Sequence, residues 1–328
     1  MTILTEKPTF FVIARKNDLL IKKGEHLQIV DSTSNEVRQK IPAIAIRDII
    51  IFGDINLDSS IISLAEKHFL PIHFLSNGGK FKGSLVFNFS KNVFLRSRQL
   101  NISNDLEHKL KIAKKFVVSK IYNQNIFLQK IRAKGRVEFC GDNAKNLDEL
   151  RGFEGAAAKK YFSIWQNENL IKNSEIEFNG RKKFPATDPI NSLLSFCFTL
   201  LQGEIHTQLM IASLDPYVGF LHDQHYGHAA LASDFLEIFR GPIEHFVVKS
   251  FNLKEFNVAQ DFEKETGGLT KLSRDGFTKF FPKWSDFIRK EEFLREKNLT
   301  QVIEREVRKF VHYLMEDEED FEPFLWQK

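Results

Sequence analysis

The sequence predicts an α+β chain, a small β-rich N-terminal domain over residues 1–90 followed by a larger all-α domain over residues 91–328. Three observations carry this. Before residue 90, short runs of β-branched and aromatic residues alternate with turn signals. After it, apolar residues recur at three- and four-residue steps over long stretches. The two cysteines, Cys140 and Cys197, stand far apart, so there is no disulfide framework or four-cysteine zinc site, and a hydrophobic core has to do the stabilising.

The elements follow in order. Strands are predicted at Phe10–Ala14, Leu19–Ile21, His26–Val30 and Ile44–Phe52, separated by Lys-Asn-Asp, Lys-Gly-Glu and Asp-Ser-Thr-Ser-Asn turns. Leu57–His68 has helical spacing, and strands at Pro71–Leu75 and Phe81–Phe87 flank the turn Asn77-Gly78-Gly79-Lys80. Beyond residue 90, helices are predicted at Asn104–Arg132, Gly152–Trp165, Asp188–Leu214, Ala229–Phe239 and Leu299–Met315. Asp188 can cap the third of these and Pro189 suits its first turn. Its middle, Leu193–Leu201, is apolar nearly all round, as in a central core helix. Thirty-three phenylalanines against 5 tyrosines and 3 tryptophans point to a Phe-packed core.

Charge is unevenly spread. Residues 91–183 hold 20 basic against 10 acidic side chains, whereas residues 184–328 hold 16 against 24. A basic middle attracts a polyanion. No apolar stretch reaches about 18 residues without a charge, so a spanning helix is not expected. The N-terminus lacks the pattern of a signal peptide, and two unpaired cysteines suit a reducing compartment, so a cytoplasmic protein is expected.

Three places look like chemistry. Glu154 shares a helix face with Ala157, Ala158, Tyr161 and Trp165, which puts a carboxylate on the inward side, where it needs a cation, a metal or a helix N-terminus. His222 ends Asp215-Pro-Tyr-Val-Gly-Phe-Leu-His222, with His225 and His228 following. Asp234 and Glu237 share a helix face three residues apart. Carboxylates with one imidazole suit Mg²⁺ or Mn²⁺. Among basic residues, Arg181, Lys182 and Lys183 form the best phosphate-binding cluster, with Lys271 and Arg274 in a glycine-flanked segment and Lys114 and Lys115 as further candidates.

Glu154-Gly-x-Ala-Ala-x-x-Tyr-Phe162, Thr187-Asp-Pro-Ile-Asn-Ser-Leu-Leu, Gly219-Phe-Leu-His222 and Leu231-Ala-Ser-Asp-Phe-Leu-Glu-x-Phe-Arg240 occur in that order. The set resembles the CRISPR-associated spacer-acquisition endonuclease and integrase family, the first of the numbered Cas proteins. The N-terminal segment Ile44–Leu85 resembles that family's β-domain. One departure is Gly241 before Pro242, where the family often runs Arg directly into Pro.

The resemblance implies a metal-dependent DNA endonuclease and strand-transfer integrase of CRISPR adaptation. Glu154, His222 and Glu237 would be the catalytic metal ligands, with Asp234 behind His222 or as the alternative ligand, and Mg²⁺ or Mn²⁺ as the cofactor. It further implies a homodimer, with dimerisation through the N-terminal domain, acting on prespacer and repeat DNA beside the small second numbered Cas protein. The residues leave three alternatives open. One is a DNA-binding protein without catalysis. Another is a zinc hydrolase built on His222, His225 and His228. The third is a transposon-type homologue acting outside CRISPR immunity.

Overall fold

The computed structural model describes residues 7–87, 91–173, 175–182, 185–265, 267–290, 297–316 and 320–327. They fall into two compact units. The first comprises the described residues of Met1–Ser90 and Phe281–Glu291, the second those of Lys91–Phe280 and Glu292–Lys328. The division differs from the expected 1–90 and 91–328 by the return of residues 281–290 to the first unit. Phe281 accounts for the return, since its ring stacks on Phe11 at 4.2 Å and lies 4.9 Å from Phe52.

The N-terminal unit contains β1 (Thr9–Ile13), β2 (Asp18–Lys23), β3 (His26–Asp31), β4 (Val37–Pro42), β5 (Asp48–Phe52), β6 (Asn56–Leu57), α1 (Ser59–Lys67), β7 (Ile72–Leu75) and β8 (Phe81–Leu85). One sheet has the order β1-β5-β7-β8, the other β4-β3-β2-β6. β5 is parallel to both its neighbours and buried at every position, which explains its unbroken Ile-Ile-Ile-Phe run. The core joins Val12, Leu20, Leu27, Ile49 and Ile51 with Ile61 and Leu64 of α1.

Two expectations change here. The strand expected over Ile44–Phe52 is a short 3-10 turn, Ala43–Ala45, followed by β5. β4 went unpredicted because Val-Arg-Gln-Lys-Ile-Pro shows no apolar alternation. Its register comes from β3 and from Arg38, which spans Asp18 at 2.6 Å and also pairs with Asp31.

The second unit contains α2 (Val93–Asn104), α3 (Leu106–Lys130), α4 (Leu147–Asn167), α5 (Pro189–Ile211), α6 (Ala230–Ile238), α7 (Arg240–Asn252), α8 (Val258–Asp261), β9 (Phe262–Lys264), β10 (Thr270–Leu272), the start of α9 (Arg274–Lys290) and α10 (Leu299–Leu314). The expectation of an all-α domain is corrected: β9 and β10 pair antiparallel across Gly267-Gly268. Side-chain caps fix several helix starts. Asp105 accepts from the backbone N–H groups of Glu107 and His108, Asn146 from Glu149, and Asp188 from Asn191, while Asn298 and Gln301 form a capping box. Part of the phenylalanine excess forms one aromatic cluster, in which Phe310 lies 5.5 Å from Phe220 and Phe235 and 4.9 Å from Phe321. Among the described residues no helix is long and apolar enough to cross a membrane.

The break between α6 and α7 shapes the site. The expected helix ended near Phe239, and the structure continues into α7 after a turn there. Pro242 has no N–H to offer the carbonyl of Ile238 four residues back. Asn123 of α3 supplies the missing donor, its Nδ2 lying 2.7 Å from Ile238 O. Gly241 lets α3 come this close, because a Cβ there would sit 2.3 Å from Asn123 O.

Candidate active site

The loop before α6 is held by a buried carboxylate. Asp234 is 0% exposed. It accepts the backbone N–H of Phe220 at 2.6 Å, of Leu221 at 3.1 Å and of His222 at 2.9 Å. Its Oδ1 also lies 2.7 Å from His222 Nδ1. A Cβ at position 219 would stand 2.7 Å from Ala230 Cβ and 3.0 Å from Asp234 Oδ2, so Gly219 makes the close approach feasible. Arg151 grips the same loop from α4, donating to Leu221 O at 2.8 Å and pairing with Asp223 at 2.5 Å. With Nδ1 committed, Nε2 is the imidazole nitrogen left to ligate.

One turn beyond Asp234, Glu237 lives in different company. Arg240 clamps it bidentately, Nε to Oε2 at 2.6 Å and Nη2 to Oε1 at 2.7 Å. Lys120 Nζ lies 2.6 Å from the same Oε2 and also pairs with Glu154 Oε1. Burial alone would raise the Glu237 carboxyl. The charges of Arg240 and Lys120 outweigh that and hold it far below the usual carboxylate range. Burial likewise disfavours the charged Arg240, but Glu237 and Glu244 keep it firmly protonated. Beneath, buried Glu244 accepts from Tyr161 Oη at 2.7 Å and Gln124 Nε2 at 3.1 Å. Burial pushes the Glu244 carboxyl up, and burial together with Glu244 pushes the Tyr161 phenol up.

One open cavity of about 790 Å³ is lined by Glu154, His222 and Glu237 and by Lys120, Arg151, Lys159, Arg181 and Arg240. The structure therefore brings the three expected ligands together, whereas Asp234 stays behind the loop. Two carboxylates already meet on a single cation, the Lys120 ammonium, with an imidazole in the same cavity; as donors this set suits a hard divalent ion. As placed, no three His, Cys, Asp or Glu side chains among the described residues are gathered closely enough to hold a metal. His222, His225 and His228 form no such group either. His225 is exposed, and the His228 ring packs edge-on to His222 at 5.8 Å.

Of the residues expected to meet phosphates, Arg181 lines the cavity. Its guanidinium donates to Lys182 O at 2.7 Å, Asn191 Oδ1 at 2.9 Å and Ser195 Oγ at 3.1 Å. Burial, with the nearby charge of Arg240, lowers its pKa to about 10. Lys182 and Arg274 are exposed, and Lys183 lies outside the described residues. Lys271 is paired with Glu263 at 3.1 Å and Glu265 at 2.5 Å. Lys114 donates to Asp142 O, and Lys115 pairs with Asp320 and Glu322.

Sequence reasoning missed Lys120, Arg151, Lys159 and Arg240 as cavity residues. A signal existed for two of them. Lys120 follows buried Phe116 and Val117 and precedes buried Asn123 and Gln124 at helical steps, and Arg240 stands one turn after Glu237.

Comparison with known proteins supplies the context for this cavity. The family model described as CRISPR associated protein Cas1 matches residues 11–286. CRISPR-associated endonuclease Cas1 3 of Thermus thermophilus is 32% identical over 314 residues, 93% of either chain. A casposase bound to integration product has a TM-score of 0.85 at 25% identity, covering 98% of this chain and 94% of that one. A chain of a Cas6-RT-Cas1–Cas2 complex has a TM-score of 0.77 at 22% identity, covering 99% of this chain and 37% of that one.

Proposed function

The chain belongs to the Cas1 family of CRISPR-associated proteins, and from that premise we propose that it is a divalent-metal-dependent DNA endonuclease and strand-transfer integrase that inserts new spacers into a repeat array. The observation that carries the reading is the convergence of Glu154 and Glu237 on one cation, beside His222, in a cavity whose remaining charged lining residues are all basic. Carboxylates select a divalent ion, and the surrounding cations select a polyanion.

Glu154, His222 and Glu237 would hold Mg²⁺ or Mn²⁺. The ion supplies Lewis-acid charge for a phosphate that gains negative charge on the way to its transition state. The chain's own groups do the rest. Asp234 fixes the His222 ring through Nδ1 and so aims Nε2. Arg240 fixes the Glu237 carboxylate with two parallel bonds. Arg181 and Lys159 border the cavity where the DNA backbone would run and add positive charge there. In the reaction, an incoming 3′-oxygen forms a new P–O bond, the scissile P–O bond breaks, and the displaced strand leaves as a 3′-hydroxyl. With water as the attacking group the same site would hydrolyse.

The likeness to a casposase solved on integration product supports strand joining as the reaction. The likeness to a chain of a Cas1–Cas2 complex supports the small second Cas protein as partner. A homodimer and a cytoplasmic location belong to the same reading. The casposase likeness equally supports a homologue working outside CRISPR immunity, and a repeat array beside the gene decides between the two.

The test is a gel assay with a repeat-containing supercoiled plasmid and a short DNA bearing a free 3′-hydroxyl, run with Mg²⁺, Mn²⁺ or EDTA, with and without the small partner. Metal-dependent nicking and joined product, both lost in Glu154→Ala and His222→Ala, are expected. Activity that survives both substitutions rejects the site. Salt-sensitive binding with no activity under any of these conditions favours a non-catalytic DNA-binding protein.

A further inference from the structure

The metal reading leaves Lys120 without a task, yet its placement is among the most constrained in the cavity. The side chain is 8% exposed and reaches the cavity from the buried face of α3. One turn further on, Asn123 donates to Ile238 O at 2.7 Å and to Phe324 O at 3.0 Å, and accepts from Trp326 N at 2.7 Å. The first of these bonds ties α3 to the end of α6 and the other two tie it to the segment at Phe324–Trp326, and together they set the reach of the lysine toward Glu237. The ammonium then contacts one oxygen of Glu154 and one of Glu237.

Two carboxylates facing one point repel each other and resist ionisation unless a cation stands between them. A divalent ion would require the same oxygens that the ammonium now occupies. We propose that Lys120 is the resident counter-cation of the site: it holds Glu154 and Glu237 together in the metal-free protein, and an incoming divalent ion displaces it. The inference rests on the metal reading above and deepens it. Lys120 is thus a positioning residue that sets metal affinity, because every ion that binds must first break two ion pairs.

The contrast with Arg240 supports this division of labour. A planar guanidinium grips Glu237 with two bonds and is suited to stay. An ammonium on a flexible four-carbon stem makes point contacts and is suited to withdraw.

The experiment reads metal binding rather than turnover. Full-length protein is stripped with EDTA, dialysed, and titrated with Mn²⁺ without DNA, the unbound ion being read by electron paramagnetic resonance. Wild type is compared with Lys120→Met, Lys120→Arg and Glu154→Ala, each also melted in EDTA. Lys120→Met keeps the buried stem and deletes the charge, so it should bind Mn²⁺ roughly tenfold tighter or more and melt lower without metal. Lys120→Arg should bind Mn²⁺ more weakly than wild type. A lysine with a merely structural role predicts that both substitutions weaken binding. The inference is overturned if both variants shift affinity in the same direction, or if neither shifts it. If Lys120→Met fails to fold in EDTA, Lys120→Gln, which also deletes the charge, takes its place, and an affinity at or below wild type in it rejects the inference. If wild type binds no Mn²⁺ that Glu154→Ala abolishes, the metal reading itself falls and the inference falls with it.

Discussion

Asp234 and Glu237 stand one turn apart on α6, both out of solvent, and their burial is compensated in opposite ways. Asp234 is surrounded by dipoles, namely three backbone N–H groups of its own loop and the His222 ring. Glu237 is surrounded by charges, those of Arg240 and Lys120. The difference separates building from working. A carboxylate whose lone pairs are spent on fixed amides defines where the loop runs. One neutralised by side-chain cations can exchange a partner without unfolding anything.

The largest expected effect tests the charged half of the contrast. Glu237→Ala leaves the Arg240 and Lys120 side chains, 12% and 8% exposed, short of their shared partner. Removing one member of a buried ionic cluster costs about 3–5 kcal/mol, and urea unfolding should show it. A loss under about 1 kcal/mol would mean that solvent screens this cluster after all, and the contrast would collapse.

The dipolar half predicts a slightly smaller loss. Asp234→Asn preserves shape, but both Asp234 oxygens accept, Oδ2 from Phe220 and Leu221 and Oδ1 from His222. An amide group turns one of them into a donor facing donors. The expected cost is about 2–3 kcal/mol, with His222 released from its orientation and metal-dependent nicking lost. Unchanged unfolding and unchanged nicking would mean that the loop sets its own path.

How much of this was legible depends on how local each cause is. The start of α5 was readable because Asp188 and Pro189 act within one turn. Glu154, His222 and Glu237 stood out as inward or motif-borne residues, and the cavity gathers all three. Lys120 was not read because its meaning comes from α4 and α6, which meet it only in the folded chain. α7 was hidden by Gly241-Pro242, which look like a helix end until Asn123 is seen satisfying Ile238. β4 and the β9–β10 hairpin are short and polar, so pairing rather than pattern defines them.

A third buried group, one helix on, sharpens the comparison by staying neutral. His245 on α7 packs against Phe127 and Trp326. Burial, with Lys249 and Lys130 nearby, lowers its pKa from 6.5 to about 4. The unfolded chain takes up this proton first as pH falls, so the contribution to stability is complete above pH 6.5 and lost progressively down to about pH 4. Across that window wild type should lose about 3 kcal/mol relative to His245→Gln. Parallel pH profiles for the two proteins would remove His245 from the comparison.

The smallest effect isolates geometry from charge. Gly219→Ala changes no ionisable group, yet its Cβ would stand 2.7 Å from Ala230 Cβ, 2.8 Å from the Ala230 carbonyl carbon and 3.0 Å from Asp234 Oδ2. All three of these atoms belong to α6, one of them to its backbone, so the loop must give way. Overpacking of this kind costs about 1–2 kcal/mol. Because the loop carries His222, the displacement should reduce nicking more than that modest instability would suggest, while Glu154 and Glu237 remain on Lys120. The variant should therefore keep its two-carboxylate cation site and lose the imidazole. Its Mn²⁺ affinity should fall toward that of His222→Ala, and not to the level of Glu154→Ala. Wild-type affinity in Gly219→Ala would show that the imidazole finds its place without the Asp234 anchor, and Asp234 would then build the loop for stability alone.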